Sequence, residues 1–337
     1  MDEQWFTGLA GSDTPDMWNF MKKLSPEKAL AALTVHYNTY ITELDVISMA
    51  KAGLTHVRVP VGYWSLIPVK GDEPYRDFGE MQVIERLLAL LAAHGMYATL
   101  DMHGLPGSQS GDQASGHATS NPQWFTPDNQ KRSDQMMDNL ITFIQNSPFK
   151  NVVSSVLPVN EPCGPRGCSA DRLQITRDYY ERSYQKLKAA GIPMIFHHGF
   201  VPGGLSGWLD FVQGKDPAYL IGSDNPYVAF FPAKTDRSQI YSALCSKVRQ
   251  YTSYPVPVIA SEWSLAGGIN GNDWLTTFYN AQAQGYAKAA GSTMWSYRCE
   301  GCLQWSWRDL NAMGIIAQPT LGQTTQQFLA GLPGGQC

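Results

Sequence analysis

Short apolar runs alternate with helix-like segments along most of this 337-residue chain, a pattern that predicts an α/β architecture with parallel strands. The apolar runs are rich in β-branched residues, and several stop abruptly at a polar or aromatic residue, as buried parallel strands do. The helix-like segments end at glycine, so each can return the chain to the next strand by a right-handed crossover. The closed form of this arrangement is a (β/α)8 TIM barrel.

Two helices are predicted ahead of the first strand. Ser25-Pro26-Glu27 combines a capping serine, a proline at the first helical position and an early acid, which predicts a helix through about Leu33. Thr42 opens the next helix, and Gly53 ends it. Residues 1–24 are rich in turn-forming residues, and no element can be assigned to them.

The strand pattern then repeats seven times. Helices are predicted between the strands, for example at 83–94 and at 170–190, where Ser169 is the cap. Nothing before Val57 is a convincing eighth strand. No linker divides the chain, so we expect one domain over residues 1–337. The predicted strands are 55–61, 97–102, 152–159, 194–198, 219–223, 256–261 and 292–295.

Two of these strands deliver a glutamate. The run Val156-Leu-Pro-Val-Asn-Glu-Pro162 ends in Glu161, and the run 256–261 leads into Glu262. The carboxyl ends of parallel strands are where α/β enzymes place their active sites. Either glutamate alone could equally be a structural acid paired with an arginine. Together they match the two carboxyl groups of glycoside hydrolysis, one to protonate the leaving oxygen and one to attack or to activate water.

Other strand ends carry polar or aromatic side chains suited to a binding site. A single arginine or histidine in such a position is usually structural, satisfied by its neighbours. Five such ends expected at one face of a barrel favour a site instead. The adjacent pair His197-His198 is a poor chelate, because neighbouring strand residues point to opposite faces, and we predict no metal site there. The five strand-end residues are Arg58, His103, Asn160, Tyr227 and Trp295.

Composition argues against several other functions. A formal charge of -4 and a charged fraction of 16% provide no polybasic surface for nucleic acid or anionic lipid. No apolar run approaches the roughly 20 residues of a membrane span. The chain starts with neither the basic nor the apolar region of a signal peptide. It also lacks a Gly-x-Gly-x-x-Gly motif after a strand, so we expect no dinucleotide cofactor.

Six cysteines indicate disulfides and hence a secreted protein. Cys163 and Cys168 bracket a short turn, as do Cys299 and Cys302, which leaves Cys245 and Cys337 as a long-range pair. Such short spacings also occur in zinc sites and redox pairs. A zinc site would need further ligands, and neither a second Cys-x-x-Cys nor a His-x3-His is present.

Several motifs together resemble one enzyme family. The chain ends with Gln304-Trp-Ser-Trp, Gly314-Ile-Ile and Gln336-Cys337, which agree with the same family. The resemblance runs from about Tyr37 to the C-terminus. The family is the eukaryotic exo-β-1,3-glucanase group of glycoside hydrolase family 5, which includes rutinosidase-type diglycosidases. The main motifs are Arg-Val-Pro-Val-Gly-Tyr-Trp (58–64), Asp-Met-His-Gly-Leu-Pro-Gly-Ser-Gln (101–109), Asn-Glu-Pro (160–162) and Ser-Glu-Trp-Ser (261–264).

The resemblance implies roles for the residues already singled out. Glu161 would be the acid/base, Glu262 the nucleophile, and Asn160 a hydrogen-bond donor to the 2-hydroxyl of the sugar. It also implies a (β/α)8 barrel as a single catalytic domain, retaining chemistry, and neither metal nor cofactor. The supporting residues would be Arg58, His103, Tyr227 and Trp295.

Departures from the family fall around the terminal sugar. The family's first barrel strand and the glutamate after it have no counterpart here. Asn225-Pro-Tyr227 replaces His-His-Tyr, which makes Asn225 a candidate sugar ligand. A sugar-binding aspartate is replaced by Gln113 or displaced to Asp112. Substrate identity is therefore less firmly implied than reaction type.

Three functions remain open. The first is a secreted, monomeric exo-β-1,3-glucanase-like enzyme that releases glucose from β-glucans. The second is a rutinosidase-type diglycosidase acting on flavonoid 6-O-disaccharide glycosides, since a wider pocket would admit a second sugar. The third is a carbohydrate-binding protein without turnover, because displacements of ~1 Å can abolish catalysis. In each case the expected partner is an oligosaccharide, a β-glucan or a glycoside.

Overall fold

A computed structural model of the protein describes residues 3–320, 322–333 and 337. Within these residues, seven strands form one sheet in which each strand lies beside its neighbour in sequence. This sequential order is that of a barrel, whereas a doubly wound sheet reverses its order. All seven predicted strands are confirmed, each within two residues of its expected bounds. They are β1 (His56–Gly62), β2 (Tyr97–Gly104), β3 (Val153–Leu157), β4 (Met194–His197), β5 (Leu220–Asp224), β6 (Val258–Trp263) and β7 (Ser292–Met294).

Helices occupy the connections between the strands. The predicted caps are present, since Ser25 accepts from the Lys28 amide and Ser169 from the Arg172 amide. None of the described helices combines the length and apolar character needed to cross a membrane. The helices are α1 (Glu3–Ala10), α2 (Met17–Lys23), α3 (Pro26–Thr39), α4 (Glu43–Lys51), α5 (Glu80–Ala93), α6 (Pro127–Asn146), α7 (Ala170–Ala189), α8 (Leu209–Val212), α9 (Arg237–Thr252), α10 (Asn272–Ala287), α11 (Trp307–Ala312) and α12 (Thr325–Gly331).

The N-terminal region differs from the sequence prediction. Residues that carried no assignable pattern form α1 and α2, and α3 extends beyond its predicted end at Leu33. Helices this short depend on tertiary packing more than on local signals. Here Phe20 is fully buried, and its ring contacts Trp5 and Phe6 at centroid distances of 5.2 and 5.4 Å. The packing that defines these helices is therefore invisible in their own sequence.

The described chain forms two compact units. The first comprises Met1–Ala50 and Leu54–Leu220, and the second Lys51–Gly53 and Ile221–Cys337. In the first unit β1, β2, β3 and β4 pair in parallel around a core that includes Leu100, Val156 and Phe196. In the second, β6 pairs in parallel with β5 and β7, and Trp263 packs on Tyr279 and Tyr286 of α10.

Three disulfide bonds link the cysteines in the predicted pairs. Cys163–Cys168 lies in the first unit and closes the turn after β3. Cys245–Cys337 ties α9 to the last residue across 92 positions of sequence, and Cys299–Cys302 closes a short loop after β7. None of the six cysteines is free, and none is left to bind a metal as a thiolate.

A buried carboxyl group lies at the start of α5. Glu80 accepts hydrogen bonds from the Tyr37 hydroxyl (3.2 Å) and the Phe78 amide (2.9 Å). Burial raises the pKa of Glu80 to about 7, and the nearby Asp77 carboxylate contributes in the same direction. The protonated form is therefore favoured by folding, since an exposed glutamate titrates at about 4.3.

The sign of this shift makes a testable difference to stability. Between pH 4.5 and 7 the unfolded chain has lost this proton while the folded chain keeps it, so stability falls as the pH rises. We expect Glu80→Gln, which cannot ionise, to gain up to about 3 kcal/mol relative to the native chain across this interval. Urea unfolding of both proteins at several pH values measures the difference. A difference that stays constant with pH would contradict the assignment.

Candidate active site

Strands β1 and β2 and the segment after β3 hold a buried charged cluster in the first unit. Asp101 is fully buried, and its Oδ2 accepts from Arg58 Nη2 (2.9 Å) and His103 Nδ1 (2.6 Å). The same Arg58 nitrogen donates to Asn160 Oδ1 at 2.7 Å. Three predicted site residues, Arg58, His103 and Asn160, are therefore brought together around a carboxylate that the sequence reasoning did not single out.

This cluster fixes the orientation of the Asn160 amide. Because Oδ1 accepts from Arg58, Nδ2 is the end that faces His103 Nε2, at 3.4 Å. Nε2 is then the acceptor, so the ring proton of His103 lies on Nδ1. This Nδ1–H donates a hydrogen bond to Asp101 Oδ2. The cluster thus presents Asn160 as a donor of defined direction.

Gln109 joins the loops that follow β2 and β3. Its Nε2 donates to the carbonyl oxygens of His103 (2.8 Å) and Asn160 (3.0 Å), and its Oε1 accepts from the Leu105 amide (3.1 Å). All three polar positions of this buried amide are therefore used within the protein. Gln109 was not predicted as a site residue, although it closes the 101–109 motif.

Glu161 lies beyond the end of β3 in a constrained turn. Its φ is 42° and that of Cys163 is 70°, both in the left-handed region that non-glycine residues avoid. The turn is held by the Cys163–Cys168 disulfide and by the Cys163 amide, which donates to the Gln109 carbonyl at 2.9 Å. Such conformations cost of order 1–3 kcal/mol each and persist where the surroundings impose them, typically at functional sites.

Glu262 belongs to the second unit, where the structure places it inside β6 and not after the end of that strand. It is only 5% exposed. The Tyr227 hydroxyl donates to Glu262 Oε2 at 2.7 Å, which fixes one oxygen of the carboxylate. Two residues that were predicted separately, Tyr227 and Glu262, are therefore in direct contact.

Asn225 is positioned from the opposite face of β6. The Ser261 hydroxyl donates to Asn225 Oδ1 at 2.7 Å, so the other end of this buried amide, Nδ2, is its donor end. Neighbouring Asp224 is anchored by Lys247 Nζ (2.6 Å) and the Tyr251 hydroxyl (2.7 Å). The residue that replaces a histidine of the resembling family is thus held in one orientation.

Aromatic rings surround Tyr227 in the second unit. Trp305 and Phe231 lie 5.3 and 5.5 Å from its ring, and Phe231 is 71% exposed. Phe230 contacts both Phe231 and Trp305, at 4.6 and 5.4 Å. We did not predict Phe230, Phe231 or Trp305, although Trp305 lies in the 304–307 motif. The four rings form an aromatic surface beside the residue that binds Glu262.

Two predicted site residues remain, Trp295 and Gln113. Trp295 directly follows β7 and is half-buried, with its amide donating to the Trp263 carbonyl at 2.8 Å. Gln113 begins an exposed single turn of helix, 113–115. Their roles in sugar binding stay predictions.

Comparison with known proteins gives the family. The cellulase model of glycosyl hydrolase family 5 matches residues 21–310. The chain belongs to glycosyl hydrolase family 5. As a member of this family it is a β-glycoside hydrolase, and the expectation of an enzyme is confirmed.

Two relatives show which members of family 5 this hydrolase is similar to. It is 27% identical to the probable glucan 1,3-beta-glucosidase A of Emericella nidulans, over 94% of this chain and 87% of that protein. It is also 27% identical to a glucan 1,3-beta-glucosidase of Pichia angusta, over 91% of this chain and 80% of that protein. The predicted resemblance to the exo-β-1,3-glucanase group is therefore confirmed.

Solved structures confirm the fold of the family 5 hydrolase. The crystal structure of AoRut has a TM-score of 0.83 at 21% identity and covers 94% of this chain and 92% of its own. The rutinosidase of Aspergillus niger has a TM-score of 0.81 at 18% identity, with coverage of 94% and 93%. The (β/α)8 barrel class is confirmed, and among the described residues the region before β1 is helical, without the family's first strand.

The buried cluster generates a prediction about stability. Asp101→Asn leaves the Arg58 guanidinium buried without its counter-ion, so we expect a loss of about 3 kcal/mol or more in the free energy of unfolding. The matched control is Asp128→Asn, which breaks the exposed pair with Lys70 and should cost far less, because solvent screens that pair. Chemical denaturation monitored by fluorescence measures both losses.

Should Asp101→Asn fail to fold, a double variant keeps the test open. Arg58→Met combined with Asp101→Leu removes both charges, and stability should recover by about half or more. Equal losses at Asp101 and Asp128 would show that the buried cluster contributes no more than a surface pair.

Proposed function

We propose that this hydrolase is a retaining exo-β-glucosidase in which Glu161 is the acid/base and Glu262 the nucleophile. The observation that carries the proposal is the direct hydrogen bond from Tyr227 to a buried Glu262. One oxygen is held by the phenol, so the other has a defined orientation for attack on an anomeric carbon. Glu161, in its imposed left-handed turn beside Asn160, is the second carboxyl group at a strand end.

The two carboxyl groups would act in sequence on one glycosidic bond. In the first step Glu161 gives its proton to the glycosidic oxygen while Glu262 attacks the anomeric carbon, so the aglycone leaves and a glycosyl-enzyme forms. In the second step Glu161 takes a proton from water, which attacks the same carbon and releases Glu262. Two inversions give net retention.

Asn160 would bind the 2-hydroxyl of the reacting sugar. Arg58 occupies its Oδ1, and so leaves Nδ2 as the donor end. Hydrogen bonds to the 2-hydroxyl that strengthen in the transition state contribute several kcal/mol in glycosidases. Arg58 and His103 then act by holding this amide, and we assign Trp295, Asn225 and Gln113 to the surrounding sugar-binding surface.

We propose β-1,3-glucan as the first substrate, because the relatives named above are glucan 1,3-beta-glucosidases. A diglycosidase that releases a disaccharide from a flavonoid glycoside is the second candidate. The aromatic surface of Tyr227, Phe230, Phe231 and Trp305, in which Phe231 is exposed, favours it, since an exposed aromatic ring can stack on a planar aromatic aglycone. One structure that shares the fold is a rutinosidase.

We further propose a secreted protein that works as a monomer with both units in one catalytic domain. The three disulfides support an oxidising compartment. The family model spans residues of both units, which supports one catalytic domain. The chemistry assigned to the two glutamates needs neither metal nor cofactor.

Incubation with laminarin and, separately, with rutin decides between the substrates. Glucose from laminarin supports the first candidate, and an intact disaccharide from rutin supports the second. NMR of the first-formed sugar should show the β-anomer, as retention requires. Binding of laminarin or rutin with no sugar released would show a carbohydrate-binding protein without turnover and would refute both.

The nucleophile is tested by an isosteric change. Glu262→Gln keeps the shape and removes the charge that attacks, so we expect kcat to fall by about four orders of magnitude or more with an unchanged unfolding midpoint. Glu300→Gln is the matched control in the same unit, because that side chain is largely exposed. Comparable activity in Glu262→Gln and Glu300→Gln would exclude Glu262 as nucleophile.

The acid/base is tested by rescue. Glu161→Ala should retain more activity on an aryl glycoside with a good leaving group than on laminarin, because such an aglycone departs with little protonation. Added azide should raise the rate and give a β-glycosyl azide, since it attacks the glycosyl-enzyme from the side that the carboxyl group vacates. An α-glycosyl azide, or no rescue with equal losses on both substrates, would refute the role.

A further inference from the structure

The N-terminal segment is fastened to the loop that follows β2. Residues 105–118 make up this loop. The Trp18 amide donates to the Gly116 carbonyl at 2.9 Å, and the Ala118 amide donates to Asp16 Oδ2 at 2.6 Å. These bonds connect residues about a hundred positions apart, so they are tertiary contacts and not local turns.

Asp16 divides its two oxygens between two tasks. Oδ1 caps α2 by accepting from the Asn19 amide at 2.9 Å, while Oδ2 accepts from Ala118. The residue is 1% exposed, so neither acceptor can exchange its partner for bulk water. A buried amide left without an acceptor costs more than the hydrogen bond itself contributes.

Aromatic stacking strengthens the same junction. The rings of Trp18 and His117 lie 3.7 Å apart and 4° from parallel. Burial lowers the pKa of His117, which favours the neutral ring in this stack. The Gly116 carbonyl that accepts from Trp18 also accepts from the Tyr75 hydroxyl at 2.9 Å, and Tyr75 stacks on Trp64 at 4.1 Å.

Residues 109–112 of the same loop contact the proposed sugar-binding residues and the turn after β3. Gln109 belongs to the loop and bridges the carbonyls of His103 and Asn160. Its own carbonyl accepts from the Cys163 amide in the turn that carries Glu161. A Cβ on Gly164 would lie 2.7 Å from Asp112 Oδ2, so the loop and this turn are in close contact. Displacement of the loop would therefore displace the turn.

We propose that Asp16 and Trp18 are positioning residues for the sugar-binding side of the site, acting through the 105–118 loop on Gln109 and Asn160. This inference rests on the proposed function, because Asn160 is the proposed sugar ligand. Neither residue touches substrate in this proposal. Their effect should fall on the transition-state contact of Asn160 with the sugar and on the position of the Glu161 turn, whereas the charge of Glu262 in the second unit is unaffected.

Asp16→Asn is the sharpest variant. It keeps a capping oxygen for Asn19 and turns the other end from acceptor to donor, facing the Ala118 amide. We expect kcat/KM for an aryl β-glucoside to fall about tenfold, mainly through kcat, because the Asn160 contact strengthens in the transition state and the Glu161 turn moves with the loop. About tenfold is the scale of one buried hydrogen bond lost. Trp18→Ala should act likewise, and Trp18→Phe should restore most of the loss by keeping a stacking ring. The control is Lys23→Ala, which removes the last side chain of α2 and breaks its exposed pair with Asp13; it should change neither kcat nor KM.

Hydrogen–deuterium exchange provides a readout that needs no activity. In Asp16→Asn, exchange should accelerate in 105–118 and also in 159–165, which contains the Cys163 amide bonded to Gln109, while β6 stays protected. Faster exchange confined to 105–118, or an unchanged kcat/KM, would reduce Asp16 to a local structural role and overturn the proposal. If the native protein releases no sugar, the proposed function is refuted. The exchange rate in 159–165 then decides by itself whether Asp16 acts on the turn through the loop.

Discussion

The buried carboxylate of Asp101 is the interaction on which the first unit's site depends. It lies on the same strand face as His103, two positions away, and it accepts from both Arg58 and His103. Those two bonds set the tautomer of the histidine and the direction of the arginine, and the arginine in turn sets the Asn160 amide. Without the Asp101 carboxylate, the side chains of Arg58, His103 and Asn160 would lose their defined orientation.

In the second unit, neutral hydrogen-bond donors orient the predicted site residues. Hydroxyl groups of Tyr227 and Ser261 hold Glu262 and Asn225, and no arginine takes part in those two bonds. A phenol and a serine thus orient a carboxylate and an amide through hydroxyl donors.

Much of this arrangement could be predicted, because buried parallel strands and their terminal glutamates leave a local pattern. All seven strands, the caps at Ser25 and Ser169 and the three disulfides follow from such patterns. The helices α1 and α2 could not be predicted, because their stability comes from partners such as Phe20 and Trp5 meeting across the fold.

Within the candidate site the same division holds. Glu262 was predicted from its own strand, but its bond to Tyr227 joins residues 35 positions apart and has no local signal. Gln109 acts through its side-chain amide on two backbone carbonyls, a contact that only folding reveals. Asp101 could have been predicted as a site residue from the sequence, because it lies two positions from His103 and both therefore point to one face of the strand.

The indole of Trp64 has a consequence for how this protein can vary. A Cβ added to Gly62 would lie 2.2 Å from the Trp64 ring, and its three nearest atoms all belong to that ring. Gly104 is excluded from having a side chain by the Ser115 carbonyl at 2.7 Å, and Gly116 by a φ of 79°. A Cβ at either of these two positions would also approach the Trp64 ring, but of the three glycines only Gly62 has nearest atoms that all belong to that ring. A mutational library that replaces the tryptophan with a small residue opens position 62 to alanine or serine, whereas positions 104 and 116 stay glycine in every such background.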